Sequence, residues 1–305
     1  MSAKNLKYYE SKHDLQFSTN TALIMVIGYK INKEPGPGYD FMLSLDTDIR
    51  DYHLINFFEA NMAFRSGHNE EALAILNGFD LSKVELRFDH YNYMMGNILL
   101  RKLDPNAAVY FNKFLASTEF RSYKKETTYK LAESFMVQGD LDEFRLYKEL
   151  AEDTDGDELV ERDREATYDS ELDYDPNPNL LKARLLISGG YLPSGFQELQ
   201  KFNRVGSTFL PYLTDYQLLL GEYYFKTTNY SLATQHLKQA IEMSEDEDYQ
   251  LASAAAVLLG KVYDSMSSSE SQRYYELAIA LYEDEYYESI ESFAKSRLSQ
   301  MTVGQ

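Results

Sequence analysis

Six times along this chain a small residue stands where one helix would have to let another approach closely: Ala60, Gly96, Ala132, Ala183, Gly221 and Gly260. The fullest example is YQLLLGEYYFKTTNYSLATQHLKQAI at 216–241, where Gly221 is followed by Tyr224, a turn at Thr228-Asn229-Tyr230, and small residues at Ala233 and Ala240. A small residue in a first helix admits the second helix, and bulky Leu220, Tyr224 and Leu237 fill the seam between them. Ala60 is answered by Ala72 across Gly67-His68-Asn69, and Gly96 by Ala107 across Leu103-Asp104-Pro105. Ala132 faces Phe144 across Gly139-Asp140-Leu141, and Ala183 faces Gly195 across Gly189-Gly190-Tyr191. Gly260 leads through Tyr263 to Tyr274, Tyr275 and Ala278. The period-3.6 apolar pattern of each pair predicts six helical hairpins and an all-α fold.

Successive small residues lie 36, 36, 51, 38 and 39 positions apart, so the third interval carries an insertion. It coincides with residues 152–175, whose twelve acidic residues and two arginines give no apolar face of their own. The expected organisation is an N-terminal capping segment at 1–50, three repeats at 51–151, an acidic insertion at 152–176, and three repeats with a capping helix at 177–305. Within the insertion, the pattern predicts a polar helix over 157–167 and a loop over 168–178, ended by Pro176 and Pro178 before LLKARLL.

At the N-terminus, 19–33 reads as a capping helix or as a strand through its β-branched run. KEPGPGY at 33–39 reads as a loop, because Pro35 and Pro37 exclude regular structure. Residues 285–301 read as one amphipathic helix with Tyr287, Ile290, Phe293, Ala294 and Leu298 on its apolar side, the polar-backed cap a stack of repeats needs.

Charge and composition narrow the partners. A net charge of −19 opposes nonspecific binding to nucleic acid or to an anionic membrane, and leaves a basic or neutral partner as the expectation. The apolar run at 22–31 falls well short of the roughly 20 residues that span a bilayer and follows a polar leader, so neither a signal peptide nor a membrane helix is expected. The chain as written reads as cytoplasmic, or as periplasmic or envelope-associated if an export signal has been removed. With no cysteine, disulfides, thiolate metal sites and cysteine nucleophiles are excluded. There are 26 tyrosines and no tryptophan, and the tyrosines are expected to plug helix seams rather than to form a stacking surface.

Catalytic signatures are missing. The histidines His13, His53, His68, His90 and His236 form no HExxH or i, i+4 pair, and are expected on surfaces or in seams. Ser188 and Ser194 stand in hairpin turns rather than in GxSxG, and no GxxxxGK[ST] or GxGxxG occurs. The run Asp153-Thr154-Asp155-Gly156-Asp157-Glu158 has calcium-loop character. Neither register supplies both the turn glycine and the terminal bidentate glutamate, so a solvated acidic loop and no tight calcium site are expected. No cofactor, metal or catalytic residue is nominated.

The spacing and residue types of residues 52–300 resemble the tetratricopeptide repeat (TPR). Stretches such as NFFEANMAFRSGHNEEALAIL and EYYESIESFAKSRL are similar to a group of bacterial TPR proteins, many with export signals. The resemblance implies an α/α superhelical solenoid whose first helices line a concave groove for peptides or protein segments, without catalysis. In such a groove the positions one and five past each small residue would point inward: Asn61 and Arg65, Asn97 and Arg101, Glu133 and Val137, Arg184 and Ser188, Glu222 and Lys226, Lys261 and Ser265. These twelve carry five bases against two acids, with Arg suited to a carboxylate and Asn to a peptide backbone. The carboxylate clamp of chaperone-binding TPR proteins keeps suitable chemistry only at Asn61 and Lys130, since Phe57, Met94 and Glu126 stand at its other positions. The expected function is a noncatalytic protein- or peptide-binding scaffold whose partner is basic or presents a carboxylate. The alternative is a helical-repeat enzyme or small-ligand receptor with a pocket near 152–200, which an apolar pocket closed by Tyr and Phe around converging polar groups would favour.

Overall fold

A computed structural model describes residues 53–79, 89–119, 121–202, 206–244, 249–282 and 286–303, with Asp40 and Leu43. The expectations for the N-terminal segment lie outside the described residues, apart from Asp40 and Leu43, which are helical. The described chain is all-α: α1 (His53–Arg65), α2 (Asn69–Asn77), α3 (His90–Arg101), α4 (Ala107–Ser117), α5 (Lys124–Gln138), α6 (Leu141–Asp153), α7 (Glu161–Glu171), α8 (Pro178–Ser188), α9 (Leu192–Lys201), α10 (Leu210–Lys226), α11 (Tyr230–Ser244), α12 (Tyr249–Ser265), α13 (Glu270–Ala280) and α14 (Glu288–Val303). Among the described residues, no helix is long and apolar enough to cross a membrane. The chain forms two compact units, Met1–Ile98 and Leu99–Gln305, so the insertion lies inside the second unit.

The six hairpin turns share one backbone solution in one register. The residue seven positions after each small residue has a positive φ: Gly67, Leu103, Gly139, Gly190, Thr228 and Ser267. Immediately after it, His68, Asp104, Asp140, Tyr191, Asn229 and Ser268 donate their backbone N–H to the carbonyls of Ala63, Leu99, Phe135, Leu186, Tyr224 and Tyr263, at 2.8–3.0 Å. The left-handed residue itself donates to the next carbonyl along, as Thr228 does to Phe225 at 2.9 Å. Each first helix therefore ends in a Schellman motif, which satisfies its last carbonyls and turns the chain back. Three of the six positions are not glycine. There the left-handed strain is borne by the paired turn hydrogen bonds and by the helix packing that follows.

In the first unit, α1 packs on α2. The second unit is built in two layers. The first helices α5, α8, α10, α12 and α14 pack on one another in order, and α6, α9, α11 and α13 each pack back on their own first helix. The close approach is real at the glycines: a Cβ on Gly221 would meet Leu237 at 2.5 Å, and one on Gly260 would meet the fully buried Tyr275 ring at 2.4 Å. Leu237, with the fully buried Ala233 and Ala240, fills the α10–α11 seam, while His236 stacks on Tyr224 and meets Gln217 at 2.7 Å. The C-terminal helix begins at Glu288 and buries Ala294, with Ile290, Phe293 and Leu298 against the same core.

The insertion corrects two expectations. Its helix runs over Glu161–Glu171, four residues later than 157–167, and residues 168–171, expected as loop, are its last turn. The shift follows from Asp163, whose carboxylate accepts the backbone N–H groups of Tyr123 (2.9 Å), Glu126 (3.0 Å) and Asp157 (2.9 Å). One buried side chain thus caps the N-terminus of α5 from outside it, where Tyr123 offers no side-chain cap, and holds residue 157 out of the helix. Beyond α7, Lys148 of α6 donates to the carbonyls of Leu172 and Tyr174, Arg145 pairs with Asp175 at 2.9 Å, and Tyr212 donates to the Asp175 carbonyl at 2.6 Å.

Candidate functional site

The first-helix layer of the second unit lines a half-open cavity of about 460 Å³. Every described residue lining it comes from α5, α7 and the connection after it, α8, α10, α12, or the start of α14 with Tyr287 just before it, and none from α6, α9, α11 or α13. Leu181, Leu218, Leu219, Leu251, Val257, Leu258 and Ile290 supply apolar surface, and Tyr129, Tyr168, Tyr174, Tyr212 and Tyr287 bring five phenols to it. The insertion closes one side. Arg164 of α7 pairs with Glu288 at 3.0 Å, Tyr287 donates its hydroxyl to Asp169 at 3.0 Å, and the Glu161 carboxylate accepts the backbone N–H of Ser289. The rings of Tyr168 and Tyr287 meet edge to face at 5.9 Å, and those of Tyr168 and Tyr286 lie tilted at 5.7 Å.

The ions of the cavity are largely matched inside the protein. Lys130 on α5 pairs with Glu133 at 2.8 Å, Arg184 on α8 with Asp215 on α10 at 2.9 Å, and Lys226 with Glu222 at 3.3 Å. Burial lowers the pKa of Lys130, but Glu133 and Glu126 raise it by more, so the net shift is upward. Asp215 holds Arg184 protonated, although 47% of the Arg184 side chain is exposed into the cavity. Lys261 lies over the Phe293 ring, 4.3 Å from its centroid, and burial pushes its pKa down. Asp169 differs from the other carboxylates. Its hydrogen bond comes from a neutral phenol, and it makes no ion pair among the described residues. Burial, with Lys130 and Arg184 pulling the other way, pushes its pKa up to about 6. Burial, reinforced by the Asp169 charge, raises the hydroxyl pKa of Tyr287 and Tyr129 as well.

Of the residues expected from the repeat register, Glu133, Arg184, Ser188, Glu222 and Lys261 line this one cavity. Lys226 does not, but donates to the Ile187 carbonyl at 3.1 Å while paired with Glu222. Arg101 lies against Gly189, Val137 is buried, and Ser265 is exposed. In the first unit, Arg65 is exposed, Asn97 donates to the carbonyl of Tyr93 at 3.0 Å, and the buried Oδ1 of Asn61 accepts no hydrogen bond among the described residues. The clamp-related positions Phe57, Met94 and Glu126 are buried, and Lys130 is bound to Glu133.

Sequence reasoning missed Asp169, Asp215, Gln250 and the tyrosines. Asp215 and Tyr212 stand six and nine positions before Gly221, on the extra N-terminal turns that make α10 and α12 17 residues long. A first helix with apolar periodicity reaching well upstream of its small residue was the available signal. The cavity wall consequently carries Glu133, Asp169, Asp215 and Glu222 against Arg184 and Lys261, an acidic balance rather than the basic one read from the two inward positions.

At the start of the insertion Asp155, Asp157 and Asp163 turn to protein donors. Arg121 binds Asp155, Ser122 donates to Asp157 at 2.5 Å, and Asp163 takes its three backbone N–H groups. Ser122 and the Leu159 N–H hold the Asp157 pKa down. Among the described residues, no group of three or more His, Cys, Asp or Glu side chains is placed to hold a metal ion. No protein-family model matches the chain, and no curated protein matches it.

Proposed function

We propose that this chain is a noncatalytic binding protein of the TPR type, which takes a segment of a protein partner into the first-helix cavity of its second unit. One observation carries the reading: inward positions of four successive first helices, Glu133, Arg184, Glu222 and Lys261, converge on one cavity that mixes apolar surface with fixed polar groups. Pockets of about 300–1,000 Å³ with this mixture are the usual form of a site for a side chain or small ligand. Peptides selected from a displayed library test it. Ala254 lines the cavity and is partly exposed, so Ala254→Trp should fill the space and abolish binding of the selected peptides with little loss of thermal stability. Selected peptides that bind Ala254→Trp as well as the parent protein would contradict it. A small-ligand receptor is the second reading, favoured by the way α7 and its tyrosines close the cavity against Tyr287.

A further inference from the structure

We propose that the cavity is an anchor for a cationic side chain, the guanidinium or ammonium of an arginine or lysine on the partner, seated at the Asp169 carboxylate among the surrounding tyrosines. This rests on the binding reading above and names the chemistry of what is bound.

The first support is the matching of charges. Three cations at or beside the wall, Lys130, Arg184 and Lys226, have carboxylate partners within the protein, and Lys261 lies over an aromatic ring. Among the described residues, the wall carboxylate without an ion pair of its own is Asp169, which is held by a phenol while Lys130 and Arg184 act on it from a distance. Beside Asp169 a further carboxylate would set two like charges together, whereas a cation would give this carboxylate an ion pair. The second support is aromatic. Tyr129, Tyr168 and Tyr287 stand around Asp169 and line the same space, and phenol rings attract a desolvated cation electrostatically. A third observation lies on α12, where the Nε2 of Gln250, another lining residue, is buried without a hydrogen-bond partner among the described residues. It offers a donor for a carbonyl oxygen of the segment that carries the cation. The chain's charge of −19 draws a basic segment inward from a distance.

Asp169 is also a group that the empty fold would do better without. A partly buried carboxylate with a raised pKa destabilises the folded state at neutral pH, and an arriving cation removes that penalty. Its titration occurs among Tyr129, Lys130 and Glu133 of α5, Glu165 of α7, Arg184 of α8 and Tyr287 before α14, so the Asp169→Asn variant is needed to isolate its share.

The test uses two blocked heptapeptides of glycine and serine, one with a central arginine and one with a central glutamate, titrated into the full chain and followed by NMR. The arginine peptide is expected to perturb the cavity tyrosines and to bind at least about tenfold more tightly than the glutamate peptide. Its affinity should fall about tenfold from pH 7.5 to pH 5 as Asp169 takes up its proton. Asp169→Asn should weaken it about tenfold or more and flatten the pH profile, with an unchanged or higher Tm. Equal arginine-peptide binding by wild type and Asp169→Asn, or an unchanged pH profile in the variant, would overturn the proposal. If only the glutamate peptide enters the cavity, cation anchoring is wrong and the binding reading stands; if neither peptide perturbs it, both fall.

Discussion

The repeat hairpins and α7 are helices of similar length held by opposite means. A hairpin is specified locally: a small residue, a left-handed position seven residues on, and apolar side chains in the seam. Gly260, Ser267 and Tyr275 show all three. Helix α7 has almost no apolar face. It is positioned by polar contacts to distant residues: Asp163 to the N-terminus of α5, Glu161 and Arg164 to residues 288 and 289, and Asp169 to Tyr287. An acidic segment that cannot form a core by itself can still be structural when its carboxylates find backbone N–H groups and phenols.

Four substitutions sharpen this contrast. Asp163→Ala leaves three backbone N–H groups without their acceptor and should destabilise the second unit by about 3–5 kcal/mol in urea unfolding. A loss below about 1 kcal/mol would mean that water replaces the carboxylate and that α7 is not anchored this way. Gly260→Ala drives a methyl into the Tyr275 ring, whose hydroxyl is tied to Asp264 at 2.7 Å, and should cost about 2–3 kcal/mol. Tolerance there would show that the α12–α13 seam can relax.

Asp169→Asn should act in the opposite direction, stabilising the ligand-free protein by about 1–2 kcal/mol at pH 7.5. The sign follows from the raised pKa. Between about pH 4 and 6 folded Asp169 binds more proton than unfolded Asp169, so its own contribution to wild-type stability rises as pH falls through that window. The gain of Asp169→Asn should therefore shrink toward zero near pH 4, as thermal melts across pH would show. Arg164→Ala should have the smallest effect, below about 1 kcal/mol, because its partner Glu288 is largely exposed.

The hairpins were legible because their signals are local. The small residues at 60, 96, 132, 183, 221 and 260 precede turns of one geometry. Leu103, Thr228 and Ser267 gave no hint of left-handed backbone by residue type; their positions in the register did. The insertion was legible as an interruption but not as a helix over Glu161–Glu171, since its cap acts on a helix some forty residues earlier in the chain. The cavity was half legible. Glu133, Arg184, Glu222 and Lys261 follow from the register, but Asp169 and Tyr287 meet only through a contact between residues 118 positions apart, which no spacing encodes.

Whether α7 closes the first-helix cavity against the start of α14 is tested most directly by the nuclear Overhauser effect between the ring protons of Tyr168 and Tyr287. With centroids 5.9 Å apart and planes at 85°, assigned rings should give clear cross-peaks in the ligand-free protein. Both rings assigned, each showing cross-peaks to its own neighbours and none to the other, would contradict the contact of α7 with the start of α14 that walls this side of the cavity.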